Sequence, residues 1–518
     1  MKRIIYLAGI ILVSFGLLSS CSKDFLDLKP LDQEVTTSFY KTEEHAMQAL
    51  VSVYDVLGYQ DTPGVSWAPF ILVSDVLSDD SYAGGADAND GMDENEFNNF
   101  NIPTTSKIAH AIWLKNYTGI YRANLLLEKI DGVDASDEFK NRLKAESKFL
   151  RAYFYFEQVT YFENIPLLTK TLSGPSEYKQ PQATPEQVYN QIALDLTEAI
   201  AGLPASVSSA DAGRITKWAA QALLARVYLF YNGVYGKDLM AGSQTINSGV
   251  LVTYLDDLIA NSGHDLFENY EDNFKLVGEY GKESVFEISY GDTPPWWDWG
   301  YVRGGEGNLS AQMQGPRVTG SQNWNRGWSF GTVSQKLVDD IKNDPRYEFT
   351  VLREEDLDGS LDKGYQHTGY FSKKYSSDAE HWGTGGQFEL NRTCNHRVIR
   401  FSDVLLMAAE LGSPNAQQYL DRVRARVGLS SIPATPENIY NERRLELSLE
   451  GIRYFDVLRK GLSYAAQELT VTGVRGPNYV GDQQIFDVTF NAATKGFLPI
   501  PQTEMDLSAG AFVQNQGY

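Results

Sequence analysis

Cysteine is almost missing from this chain: Cys21 and Cys394 are the only two in 518 residues. Two thiols rule out the disulfide framework that small exported domains rely on, and a chain of this length does not need one. Histidine is scarce as well, with six residues at no metal-ligand spacing. The chain has no H-E-x-x-H, no phosphate-binding glycine loop and no G-x-S-x-G, so the common zinc-hydrolase, nucleotide and serine-hydrolase signatures are absent. Positive charge is in deficit. Lys and Arg number 45 against 67 Asp and Glu, a formal charge of -22. Such a surface repels nucleic-acid phosphates and anionic lipid alike, so no nucleic-acid partner is expected. Long apolar runs are confined to one place, Ile4 to Leu18.

That run defines the N-terminus. Lys2 and Arg3 precede it, and Leu18-Ser19-Ser20 leads into Cys21. Basic residues, a short apolar stretch and small residues at a cut site make a secretory signal. The stretch is too short for a mature membrane span. A cysteine just after the cut, with leucine three residues before it, is the acceptor pattern for bacterial lipid attachment. The mature chain is therefore expected to begin at a lipidated Cys21. Losing Lys2 and Arg3 changes the charge from -22 to -24. With Cys21 lipidated, Cys394 has no thiol partner.

Helical periodicity dominates two regions. Ala145, Phe149, Ala152, Phe156 and Val159 share one face. Thr184-Pro185-Glu186-Gln187 is a capping box with proline at the first helical position. It opens a helix with Val188, Ile192, Leu196, Ala199 and Leu203 on one stripe. A third helix spans Thr216 to Tyr231, with Asn232-Gly233 as its stop. Residues 43–58, 67–79 and 108–130 also read as helices. Nearer the C-terminus, helices run from Ser402 to Leu411, from Ser413-Pro414 to Gly428, and onward from Thr435-Pro436. Short helices in antiparallel pairs are the make-up of tetratricopeptide-like stacks, but the repeats here are too irregular for periodicity to separate such a stack from a generic helical domain.

The middle is different. Residues 281–331 hold five of the nine tryptophans, together with Gly304, Gly305 and Gly307. Glycine and tryptophan persist around Trp382 and Gly383. A loop-rich insertion on a helical scaffold is where binding usually resides.

Several long motifs, in order, carry a family resemblance. They include Ala145-Glu146-Ser147-Lys148-Phe149-Leu150-Arg151 and Arg400-Phe401-Ser402-Asp403-Val404. Residues 441–459 open as Asn441-Glu442-Arg443-Arg444 and continue through Glu450-Gly451-Ile452-Arg453-Tyr454-Phe455-Asp456. Phe497-Leu498-Pro499-Ile500-Pro501 lies near the end. The chain resembles the SusD/RagB family throughout its mature length. The resemblance implies a mostly α fold of tetratricopeptide-like helical pairs, with a large irregular, loop-rich insertion containing short strands. It also implies an outer-membrane, cell-surface lipoprotein that binds oligosaccharide and lids a SusC-type TonB-dependent transporter. A RagB-like minority serves peptide uptake instead. The expected organisation is a signal at 1–20, a lipidated tether at 21–42 and a helical part at 43–260. An insertion at 261–397 follows, then a signature region at 398–518 packed on the helical part.

Within the signature, Glu442, Glu446 and Glu450 fall one helical turn apart, where like charges repel unless offset. Arg443, Arg444 and Arg453 are the expected counter-ions of a structural network. Three carboxylates on one helix face do not suit the facing pair of a glycosidase, so no catalytic residue is assigned.

Sugars present C–H faces that stack on rings, and hydroxyls that need amides, carboxylates or guanidinium groups. Candidate contacts are therefore Trp296, Trp297, Trp299, Arg317, Asn323, Trp324 and Trp328 in the insertion. The resemblance implies that the loop after an early helix adds to the glycan site, which makes Trp67, Asp79, Asp80 and Tyr82 further candidates; no tryptophan stands just after Asp80, so Tyr82 takes the stacking role. No cofactor is expected. Asp87, Asn89, Asp90, Asp93 and Glu96 resemble a calcium loop only faintly, because Gly91 is misplaced, and they read as a solvated acidic loop.

Overall fold

The computed structural model describes residues 39–62, 66–293, 307–383, 385–472 and 487–518. Cys21, Trp296, Trp297 and Trp299 lie outside them.

The N-terminal half is a series of capped helices. In chain order these are α1 (Glu43–Asp55), α2 (Phe70–Val76), α3 (Met92–Asn98), α4 (Lys107–Lys129), α5 (Asp137–Phe162), α6 (Pro185–Gly202), α7 (Lys217–Tyr235) and α8 (Ser248–Asn261). Ser106, Ser136, Thr184, Thr216 and Asn247 each accept from the backbone N–H three residues on, satisfying a donor the helix leaves open. At Thr184 the capping box closes both ways, because the Gln187 side chain accepts from the Thr184 N–H at 2.9 Å. From α4 to α8 each helix packs on the next, and α8 hands over to α11 (Phe401–Glu410). Helix α11 in turn packs on α12 (Ala416–Arg426) and α13 (Pro436–Glu446). Between α8 and α11 lie the short helices α9 (Leu309–Gln314) and α10 (Gln335–Ile341). The signature region adds α14 (Arg453–Leu458). This is the tetratricopeptide-like helical arrangement that the family resemblance implies. Val188, Ile192, Leu196 and Ala199 are fully buried, and one apolar cluster extends from Ala46 to Ile500. Among the described residues no helix is long and apolar enough to cross a membrane.

The limits of α7 and α2 differ from the sequence reading for physical reasons. Helix α7 runs through Asn232-Gly233 to Tyr235 and ends on Gly236 at φ +66°. Gly233 marks a close approach instead of a stop: a Cβ there would lie 2.6 Å from the Arg459 carbonyl oxygen. Helix α2 begins at Phe70, after Pro69, because the residue before a proline is pushed out of the helical region. Trp67 therefore belongs to a short ribbon, paired with Asp61.

The middle holds small antiparallel ribbons. Strand β1 (Ser81–Gly84) pairs with β3 (Phe330–Val333), setting Tyr82 opposite Thr332 and Gly84 opposite Phe330. Strand β2 (Ser284–Ile288) pairs with β4 (His396–Arg400) through an irregular register. The β1–β3 ribbon joins the early acidic segment to the insertion.

The signature residues form a buried ion-pair network, but not with the counter-ions expected. Helix α13 ends at Glu446, so Glu450 sits in the turn beyond it. Residues adjacent in a helix face different ways, and each glutamate finds its cation on another segment. Glu442 meets Arg346 at 2.7 Å and Arg424 at 2.6 Å. Glu446 meets Arg346 at 3.0 Å and Arg400 at 2.8 Å. Glu450 meets Arg400 and Lys374, both at 2.7 Å. Arg443 instead pairs with Asp403 and Asp456, Arg444 with Asp80, and Arg453 with Asp79. Burial alone would raise these carboxyl pKa values, yet the surrounding cations hold Glu446 and Glu450 below the usual range.

Candidate functional site

Two segments far apart in sequence are brought side by side by hydrogen bonds of the Gln60 side chain. Beside Trp67, the Ala68 N–H donates to the Gln60 carbonyl at 2.7 Å. The Gln60 side chain donates to the Gly307 carbonyl and accepts from Ser310 N, both near the start of α9. The chain leaving α9 then runs against residues 327–329. Gly327 N donates to the Pro316 carbonyl and Ser329 N to the Gly315 carbonyl, each at 2.8 Å. A Cβ on Gly327 would lie 2.3 Å from the Gly315 backbone, so this approach requires glycine. Arg317 and Trp328 are placed together as a result.

Trp328 stacks on Trp67, with ring centroids 5.2 Å apart and planes inclined by 29°. Its indole N–H donates to Glu389 Oε1 at 2.9 Å. Behind it, the buried Arg392 guanidinium donates twice to Gln312 Oε1. The Gln312 carbonyl accepts from Trp328 N at 3.1 Å, which fixes the loop. Both rings are half-buried and line a cleft of ≈ 480 Å³. Arg317, Lys107 and Phe330 line it too, with Met92 on its rim. The remaining wall is Asn89 with three acids, Asp90, Asp93 and Glu94. Burial, reinforced by the neighbouring carboxylates, pushes Glu94 up to about 7. Stacked aromatic faces beside hydrogen-bonding side chains suit a ligand with an apolar face and a polar edge.

The cleft contains Trp67, Arg317 and Trp328 of the residues chosen from sequence. It does not contain the others that the structure describes. Tyr82 is 3% exposed, packed on Val488 within the β1–β3 ribbon, and burial pushes its hydroxyl up to about 12. It offers no face for stacking. Trp324 is 8% exposed and packs with Val318, Leu352 and Phe371. Asp79 and Asp80 are interior counter-ions. Asp79 accepts from Arg453 Nε at 2.7 Å and pairs with Lys336 at 2.8 Å. Asp80 pairs with Arg444 and accepts from Leu449 N at 3.2 Å. Asn323 is exposed but is spent on Asp358, at 3.2 Å. In the acidic loop, Asp87 accepts from Asn89 N and Asp90 from Ala86 N, so these carboxylates also cap a turn.

Glu94, Lys107, Met92 and Phe330 were not legible as site residues. The only signal, for Glu94 alone, was the acidity of residues 87–96, and nothing in spacing set that stretch beside Trp328. A separate enclosed cavity, lined by Tyr153, Phe230 and Phe455, holds ≈ 50 Å³. That is room for a few waters and not for a sugar ring.

Comparison with known proteins agrees with this architecture. Residues 24–229 match a family described as starch-binding and associating with the outer membrane, and residues 282–518 match the SusD family. A solved laminarin-binding SusD-like protein is 34% identical, with a TM-score of 0.80 over 92% of this chain and 100% of its own. The surface glycan-binding protein A of Bacteroides thetaiotaomicron, solved with laminarihexaose, is 29% identical, with a TM-score of 0.80 over 92% of this chain and 100% of its own. A SusD-like protein of Bacteroides ovatus is 24% identical over 463 residues, 85% of this chain and 80% of that protein. The helical stack, the signature network and these matches agree, and the chain belongs to the SusD/RagB family.

Proposed function

We propose that this protein is a cell-surface lipoprotein whose Trp67–Trp328 cleft captures oligosaccharide and passes it to a SusC-like TonB-dependent transporter. The observation that carries this reading is the stacked indole pair opening on a cleft with charged side chains within reach. Solved relatives bind laminarin and laminarihexaose, which supports a carbohydrate cargo. The signal ending at Cys21 supports lipid attachment. The role is capture without chemistry, because the signature carboxylates are locked in interior ion pairs. Each stacked ring contributes about 1 kcal/mol. Summed over few contacts and less the ordering cost, binding falls on the order of micromolar to millimolar. Weak capture suits a protein that must release its cargo inward.

Calorimetry on the purified full chain in detergent, against a panel of neutral and acidic glycans, tests the reading. Binding to at least one glycan, lost in Trp67→Ala/Trp328→Ala, supports it. No binding across the panel, or affinity unchanged in the double variant, refutes it. A reducing-end assay on the same mixtures should stay flat.

A further inference from the structure

The acidic wall of the cleft has no part in the stacking. Asp90 is partly spent on the Ala86 N–H at 2.7 Å. Asp93 has Lys107 at 3.9 Å. Glu94 is different. It is 8% exposed, and among the described residues no side chain makes a hydrogen bond or ion pair with its carboxylate. A buried carboxylate without a partner is costly, and here it borders open space beside two indole faces.

The cations nearby do not reverse the sign. Lys107 is largely exposed and lies beside Asp93. Arg317 has Asp362 at 3.7 Å, and that carboxylate also takes Arg326 at 2.9 Å. Among the described residues, three lining carboxylates face two cations that already have acidic neighbours. Among the described residues no group of three carboxylate, histidine or cysteine side chains has metal-ligating geometry. The acidic wall therefore needs hydrogen-bond donors without negative charge, and sugar hydroxyls are such donors.

Resting on the glycan reading above, we propose that the cleft selects uncharged, hydroxyl-rich oligosaccharide and rejects uronate- or sulfate-bearing chains, with Glu94 as the specificity-determining residue. A carboxylate accepting from a hydroxyl makes a charge-assisted bond, whereas an anionic substituent in the same place meets like charge. Because burial pushes Glu94 up to about 7, its charge changes across neutral pH. Asp90, Asp93, Glu96, Lys107 and Arg317 are the other charged groups facing it or flanking it, so rejection should sharpen from pH 6 to pH 8.

The test uses matched probes on the full chain in detergent. Laminarihexaose, maltohexaose and mannohexaose are each compared with their C6-carboxylated derivatives and the methyl esters of those derivatives. At pH 8 the carboxylated form of whichever parent binds should be at least about tenfold weaker than the parent, and the ester should recover most of the loss. Glu94→Gln, checked for folding by circular dichroism, should narrow the gap to about threefold. Equal binding of parent and carboxylated forms overturns the proposal. So does rejection of the ester as strong as that of the acid, since shape would then decide. So does a gap unchanged by Glu94→Gln. If no parent or derivative binds, the glycan reading itself falls and takes this inference with it.

Discussion

The signature network and the tryptophan cleft are built from the same residue types and put them to opposite uses. In the network, Arg346, Arg400, Glu446 and Glu450 are almost wholly buried, and each meets partners from distant segments. Three cations also lie over the Tyr270 ring, with Arg426 at 4.9 Å from its centroid. In the cleft, rings are half-exposed and Glu94 has no partner cation among the described residues. Paired and buried charge holds the chain together. Unpaired charge beside an open ring is left available to a ligand. Residue type does not separate the two regions; the presence of a partner does.

The largest effect should come from breaking the network. Arg400→Ala leaves Glu283, Glu446 and Glu450 short of a cation, and removing one partner of a buried pair costs about 3–5 kcal/mol. Chemical denaturation should show that loss, with glycan binding failing only where the fold fails. Acid should act on the same region. Despite burial, Arg443 and Arg459 hold Asp456 down to about 2, and other cations hold Glu446 lower still. Groups with depressed folded pKa values stabilise above the ordinary carboxylate range. That stability is lost as pH falls from about 4 toward 2, measurable as a steep fall in Tm.

The cleft should respond in the other direction. Trp67→Ala/Trp328→Ala should weaken glycan binding by about 30-fold, from about 1 kcal/mol per ring, while Tm drops only by a few degrees. Glu94 carries the opposite pH sign to the network. Its folded pKa is raised from 4.5 to about 7, so its contribution is present at acid pH and is lost as pH rises through that window. Glu94→Gln should flatten the decline in Tm between pH 5 and pH 8. The smallest effect belongs to Tyr82→Phe, which should leave glycan affinity within about twofold, because that ring is interior and outside the cleft.

The helices were readable because their causes are local. The Thr184 capping box, the Val188–Ile192–Leu196 stripe and Pro436 at a helix start act within a turn or two of themselves. The site was readable only in part. Residue chemistry points to Arg317, Trp324 and Trp328, and the family resemblance to Trp67 and Tyr82; of these, Trp324 and Tyr82 are interior. Nothing local separates Trp324 from Trp328, four residues apart. One is enclosed by Leu352 and Phe371, the other lies against Trp67. Asp79 and Asp80 resemble ligand contacts until Arg453 and Arg444 arrive from the far end of the chain.

What the amino-acid order determined alone was the acidic balance, the capped helices and the need to neutralise the signature glutamates. Those follow from composition and from interactions between near neighbours. Which cation meets which carboxylate, which rings stay open and which acids line the cleft were decided by tertiary packing. Burial and pairing are properties of segments that meet only in three dimensions, and no spacing along one strand of sequence encodes them.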